Sequence, residues 1–148
     1  MRKSKKLVTP DGLRLYAVID TNVIVSSFFS LDGSSNPAEV IKAVFEGIVT
    51  PLYNDEILEE YKDVLSRAKF PFNSEQIDTI ISAFHDLGVE TERTPAINET
   101  FPDPDDILFY EVAISVKEAL LVTGNKKHFP EKPFVITPTE LVAIIKKG

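Results

Sequence analysis

The chain has 148 residues, 43% of them apolar, enough for one compact domain with a real core and too few for a second. It has no cysteine and two histidines, His85 and His128, which excludes disulfides, thiol chemistry and a histidine-built zinc site, so any metal site must be made of oxygen. The net charge of −7 is the wrong sign for a broad basic nucleic-acid surface, yet it is compatible with a carboxylate cluster that holds divalent cations, and with a basic protein partner.

No run approaches the ~20 apolar residues of a membrane span. The basic start Met1 to Lys6 leads into Leu7-Val8-Thr9-Pro10-Asp11-Gly12, not into the apolar core of a signal peptide, so a cytoplasmic protein is expected. Residues 1–13 read as an appendage and 14–148 as the domain. The apolar run Leu15 to Ile19 suits a strand buried on both faces, and it breaks off at Asp20-Thr21-Asn22. A strand end of this kind delivers Asp20 to the edge where α/β proteins place their sites. A competing reading makes Asp20, Thr21 or Asn22 the cap of a helix Val23 to Phe29.

After the polar loop Ser30 to Asn36, Asn36 reads as an N-cap, Pro37 as the first helical residue and Glu39 as its capping-box partner, for a helix ending at Glu46 before Gly47. A strand Ile48 to Tyr53 follows. Asn54 or Asp55 starts a helix to about Ala68, in which Ile57, Leu58, Tyr61, Val64 and Leu65 form one apolar stripe. Glu60 borders that stripe, Glu59 points away from it, and Glu56 and Asp63 lie farther round; Glu60 either flanks the core with its head in solvent or faces a site. Ser74 to Leu87 is a further helix stopped by Gly88, and Val89 to Thr94 a third strand.

Asp103 caps a helix opened by Pro104 and running to about Lys117, apolar on nearly every side. Three carboxylates, Asp103, Asp105 and Asp106, exceed what one cap needs. Asp106 is well placed to face inward, with Asp105 as the alternate. The strand Ala119 to Val122 ends in Thr123-Gly124-Asn125, repeating the pattern of an oxygen-bearing side chain beyond a buried strand. Lys126, Lys127 and His128 then form either a solvated loop or phosphate contacts. Phe134 to Ile136 is a last strand, and Thr137-Pro138-Thr139-Glu140 caps a terminal helix. Strands alternating with helices give a single α/β domain, a central parallel sheet sandwiched between helices by right-handed crossovers.

Four stretches in order, Ala17 to Asn22, Ile57 to Leu65, Asp103 to Asp106 before Ile107 to Ala113, and Leu121 to Phe129, resemble the signatures of PIN-domain proteins, nearest to the VapC-like toxin of toxin–antitoxin systems. The resemblance covers about residues 15–145. It implies a Rossmann-like three-layer fold and a Mg²⁺- or Mn²⁺-dependent endoribonuclease, with an RNA substrate, an antitoxin protein as partner and room for a homo-oligomer. It matches the acidic positions to Asp20, Glu60 and Asp106, with Asn125 where the family usually has aspartate.

On this resemblance Asp20 holds the principal ion, Glu60 ligates it or orients the attacking water, and Asp106 or Asp105 completes the shell. Thr21, Asn22 and Thr123 fix the carboxylates by hydrogen bonds, and Lys126 and Lys127 contact RNA. Asn125 contributes no charge, which predicts one tightly held ion and a second recruited with the phosphate. Two rivals keep the fold or its class: a catalytically weak PIN module that binds RNA or protein, for which Asn125 speaks, and a receiver-type phosphoacceptor, against which Asn54 and Asp55 stand within a helix cap. A dinucleotide enzyme is disfavoured because the turn after the first strand has no glycine.

Overall fold

The computed structural model describes residues 15–147, so the appendage expected over 1–13 lies outside the described residues. Five strands form one parallel sheet in the order β3-β2-β1-β4-β5, where β1 is Leu15–Ile19, β2 Val49–Tyr53, β3 Val89–Glu90, β4 Leu120–Val122 and β5 Val135–Ile136. The register places Ala17 of β1 opposite both Pro51 of β2 and Leu120 of β4. Every residue of β1 and β2 is buried, as a parallel sheet covered on both faces requires. Six helices flank it: α1 Thr21–Phe28, α2 Asn36–Phe45, α3 Asp55–Leu65, α4 Ser74–Leu87, α5 Ile107–Ala113 and α6 Pro138–Lys147. The result is the single-domain Rossmann-like architecture read from the alternation of elements. Among the described residues no helix is long and apolar enough to cross a membrane.

The element boundaries show where local signals competed. Helix α1 begins at Thr21, two residues before the expected Val23, and Asp20 occupies its N-cap position with no side-chain cap bond. The cap of α2 is Ser35, not Asn36: Ser35 Oγ accepts from the Ala38 amide at 3.2 Å, while Asn36 enters the helix and donates to Thr139 Oγ1 at 2.9 Å. The shift by one residue makes Ala38 the third helical position, so Glu39 cannot close a capping box. Asn54 caps α3, which stops at Leu65, short of Ala68. Helix α4 has the expected span, fastened by a reciprocal Asn73–Gln76 capping box.

Gly88 ends α4 in an extended conformation, not in the left-handed one common after helices. Glycine is needed there for space, because a Cβ would strike the backbone oxygens of Pro51 and Phe84. Strand β3 is two residues, not the six of Val89 to Thr94, because the chain then leaves the sheet and the Thr94 amide bonds to the Glu111 carbonyl at 3.1 Å. The region after Asp103 opens with a 3₁₀ turn, Pro104–Asp106, and α5 ends at Ala113 instead of Lys117. Ser115 Oγ takes up the Glu111 carbonyl at 2.8 Å, and Glu118 turns into β4 with φ 67°. Phe109, Tyr110, Val112 and Ala113 are buried, so α5 is the deeply packed helix its composition indicated. Thr137 and Glu140 cap α6 reciprocally.

Candidate active site

Strand order dictates where a site forms. The chain builds outward from β1 to β2 and β3, then returns to the other side of β1 to lay down β4 and β5. The crevice where the direction reverses lies at the carboxyl ends of β1 and β4, the position at which open α/β sheets bind ligands. Asp20 follows β1 there and Thr123 follows β4.

These two residues lock together. The Asp20 amide donates to the Val122 carbonyl at 2.9 Å, and Thr123 Oγ1 donates to Asp20 Oδ2 at 2.7 Å. The same Thr123 oxygen accepts from the Asn125 amide at 3.0 Å, so the hydroxyl is held on both sides and cannot turn away from Asp20. Asn22 Oδ1 accepts from the Gly124 amide at 3.1 Å, tying the start of α1 to the exit of β4. Asp20 is 6% exposed and Thr123 fully buried. The carboxylate thus serves the crevice, not the helix start.

The other acidic groups arrive from separate elements. Tyr61 is completely buried and its hydroxyl donates to the Ile19 carbonyl, pinning α3 to the last residue of β1. The helix so fixed carries Glu60, which lines the same cavity as Asp20. Asp103 accepts from the Asp105 amide at 3.0 Å and so caps the 3₁₀ turn that presents Asp106. Asp20, Glu60, Asp103, Asp105 and Asp106 line one cavity of about 310 Å³, together with Thr21, Asn22, Arg67 and His128. Asp105 is exposed, whereas the Asp106 side chain is 13% exposed.

Crowding of like charges in a partly buried space has the expected electrostatic result. Burial raises the Asp20 carboxyl above its ordinary value, with Asp103 adding to the effect and Thr123 and His128 opposing it. Burial, then Asp105 and Asp63, raise Glu60, against Arg67. Asp106 is pushed up to about 6 by burial and by the charges of Asp20 and Asp103. Two buried oxygens in this cavity, Thr21 Oγ1 and Asp106 Oδ2, have no hydrogen-bond partner among the described residues.

Three candidates, Asn125, Lys126 and Lys127, lie apart from the acids. Asn125 does not line the cavity; its Nδ2 lies 3.0 Å from His128 Nε2, and His128 Nδ1 lies 3.3 Å from Asp106 Oδ2. The amide therefore acts on the imidazole that faces Asp106. Lys126 pairs with Glu140 at 3.3 Å, and with Lys127 it lines a separate cavity of about 810 Å³ beside β5. Arg67, for which the sequence offers no role, lines the cavity, and His128, expected only as a loop or phosphate contact, faces Asp106. Neither announces itself by spacing: Arg67 lies two residues beyond the end of α3, and His128 closes the 3₁₀ turn Lys126–His128 that Asn125 precedes.

Among the described residues no three carboxylate or imidazole groups converge into a set that could hold a metal ion as they stand. The donor chemistry nevertheless fits a hard divalent cation: a buried carboxylate oxygen that accepts no hydrogen bond, neighbouring acids with raised proton affinity, and no soft ligand. Mg²⁺ commonly takes one or two carboxylates and keeps several waters, so a closed protein cage is not required.

An all-parallel α/β domain with an acidic crevice at its switch point belongs to the class of Rossmann-like proteins that work on ligands at the carboxyl edge of the sheet. Within that class the chain belongs to the PIN-domain family, whose model matches residues 16–127, and whose members are generally nucleases using divalent metal ions. A comparison with curated proteins finds no match.

Proposed function

We propose that this chain is a Mg²⁺- or Mn²⁺-dependent endoribonuclease, acting in the cytoplasm as the toxin of a toxin–antitoxin pair. The observation that carries the nuclease reading is the convergence of Asp20, Glu60 and Asp106, from the end of β1, from α3 and from the 3₁₀ turn, on one cavity in a PIN-domain chain. Five acidic side chains facing a 310 Å³ space repel one another and any phosphate, a field that a divalent cation reverses.

Asp20 and Asp106 would hold the cation, with Glu60 at its side. When bound, the ion supplies Lewis acidity toward water and the phosphoryl oxygens. Thr123 keeps the Asp20 carboxylate in one orientation, and His128 Nδ1 lies 3.3 Å from Asp106 Oδ2 without a hydrogen bond to it. Glu60, with its raised proton affinity, accepts the proton of the attacking water. Arg67, 3.2 Å from Asp63 and on the cavity wall, offers the cationic group nearest to where a phosphate would lie. Lys126 and Lys127 serve the strand farther along. The acidic body suits a basic antitoxin, and self-association is compatible with this reading.

The test is cleavage of a panel of labelled RNAs with Mg²⁺, Mn²⁺ or chelator, alongside Mn²⁺ calorimetry. Asp20→Asn should abolish Mn²⁺ binding and lower cleavage roughly 10²-fold or more. Unaltered binding in Asp20→Asn places the ion elsewhere. The second reading, a non-catalytic RNA- or protein-binding module, is favoured by the position of Asn125 outside the cavity; it gains if RNA is bound and never cut. Growth arrest on expression, relieved by the product of an adjacent gene, tests the toxin role.

A further inference from the structure

We propose that the aromatic cluster beside the acidic cavity is a stacking site for an unpaired base of the RNA, with Phe70 as the residue that receives it. This inference rests on the nuclease reading for its ligand.

The cluster is unusual for a surface. Phe70 and Phe72 stack at 5.2 Å with ring planes 15° apart, and Phe29 leans on Phe72 at 5.1 Å and on Phe70 at 6.1 Å. Phe29 is 52% exposed, and Phe70 and Phe72 are partly exposed. Phe72 also packs edge-on against Phe28 at 4.8 Å and against the core, but Phe29 and Phe70 are left partly open, whereas an aromatic ring used only for burial gains most when it is covered. Position gives the cluster a ligand. Phe70 lines the same cavity as Asp20, Glu60 and Arg67, so a group lying on its ring is one nucleotide's reach from the carboxylates.

Charge complementarity selects a nucleotide over an apolar peptide. In a protein of net charge −7, this rim carries Arg67 on the cavity wall and Lys69, whose Nζ lies 5.3 Å from the Phe70 ring centroid. A partly exposed ring backed by Phe72, with the Lys69 ammonium over it and Arg67 on the cavity wall, matches the demands of one nucleotide, whose base takes the ammonium's place on the π-face and whose phosphates keep the cations. A base paired in a duplex cannot present that face, so the site takes unpaired nucleotides.

The experiment measures equilibrium binding of fluorescein-labelled oligoribonucleotides by anisotropy, in an Asp20→Asn background so that strands are held and not cut. The ligands are one single strand, the same strand in a duplex, and the same strand with single abasic positions walked along it. Phe70→Ala should weaken single-strand binding about ten-fold, the scale of one lost base stack. Phe70→Leu, which keeps apolar volume without the π-face, should lose nearly as much, and Phe70→Trp should retain affinity. At one abasic position the affinity difference caused by Phe70→Ala should vanish.

Wild-type affinity in Phe70→Leu, or a Phe70→Ala loss that persists at every abasic position, overturns the proposal. It is equally overturned if Phe70→Ala changes the sedimentation coefficient and leaves RNA affinity unchanged, which would make the cluster a protein contact. The nuclease reading fails separately, through absent cleavage and absent Mn²⁺ binding in the parent protein, with the Phe70 effect on strand binding left intact.

Discussion

Asp106 shows how one residue is held against its own chemistry. Its carboxyl, raised to about 6 by burial and by Asp20 and Asp103, is charged at neutral pH only at a cost to the fold. Asp106→Asn keeps the shape while removing the charge. We expect the metal-free variant to melt roughly 2–5 °C higher than the parent at pH 7.5, and RNA cleavage to fall roughly 10²-fold or more. Scanning calorimetry and the cleavage assay check the two halves. A lower melting temperature would show that the carboxylate is structurally required. The inward position of Asp106 was legible from its place before an apolar helix. The roles of His128 and Asn125 were not, because they depend on a short 3₁₀ turn, Lys126–His128, whose geometry no periodicity announces.

At the scale of elements, the site is an assembly of ends. Strand β1 supplies Asp20, and α3, whose Tyr61 is anchored on the Ile19 carbonyl, supplies Glu60. Tyr61→Phe removes that hydrogen bond and leaves the packing against Phe84 and Phe109 in place. We expect a loss of about 1 kcal/mol in urea unfolding and a fall in cleavage larger than the stability loss explains, since Glu60 loses its tether. Parent-like kinetics in a destabilised variant would show that α3 is positioned by packing alone. The strands and α4 could be read because buried runs, capping residues and the Ile77, Ile80, Phe84 spacing all agreed. The ends of β3 and α5 could not, since Thr94 and Ser115 are drawn to Glu111 by contacts distant in sequence or outside any periodic pattern.

The whole molecule carries its acidic crevice as a destabilising load in the absence of cations. Asp20, Glu60 and Asp106 all bind protons more tightly in the folded state than when unfolded. Their contribution to stability is therefore complete below about pH 4 and lost as pH rises through each raised value, which for Asp106 is about 6. The metal-free protein should melt at a lower temperature at pH 7.5 than at pH 5. Mn²⁺ at pH 7.5 should reverse much of the difference, because an ion bound only by the folded state adds stability in proportion to its occupancy. A melting temperature that rises with pH over this window without metal would contradict the raised carboxyls.

The order of strands and helices, the burial of β1, and the candidacy of Asp20, Glu60 and Asp106 were determined by the sequence itself, because hydrophobic period and residue chemistry are local properties. Which acids share a cavity was decided by tertiary structure. The reversal of strand order brings Thr123 to Asp20 across 103 positions, a pairing that chain-local patterns do not encode. The same folding turned Asn125 toward His128 and carried Lys126 and Lys127 to another cavity. It also set Phe70 and Arg67 on the rim of the carboxylates, since a loop's course is fixed by what it packs against and not by its own composition.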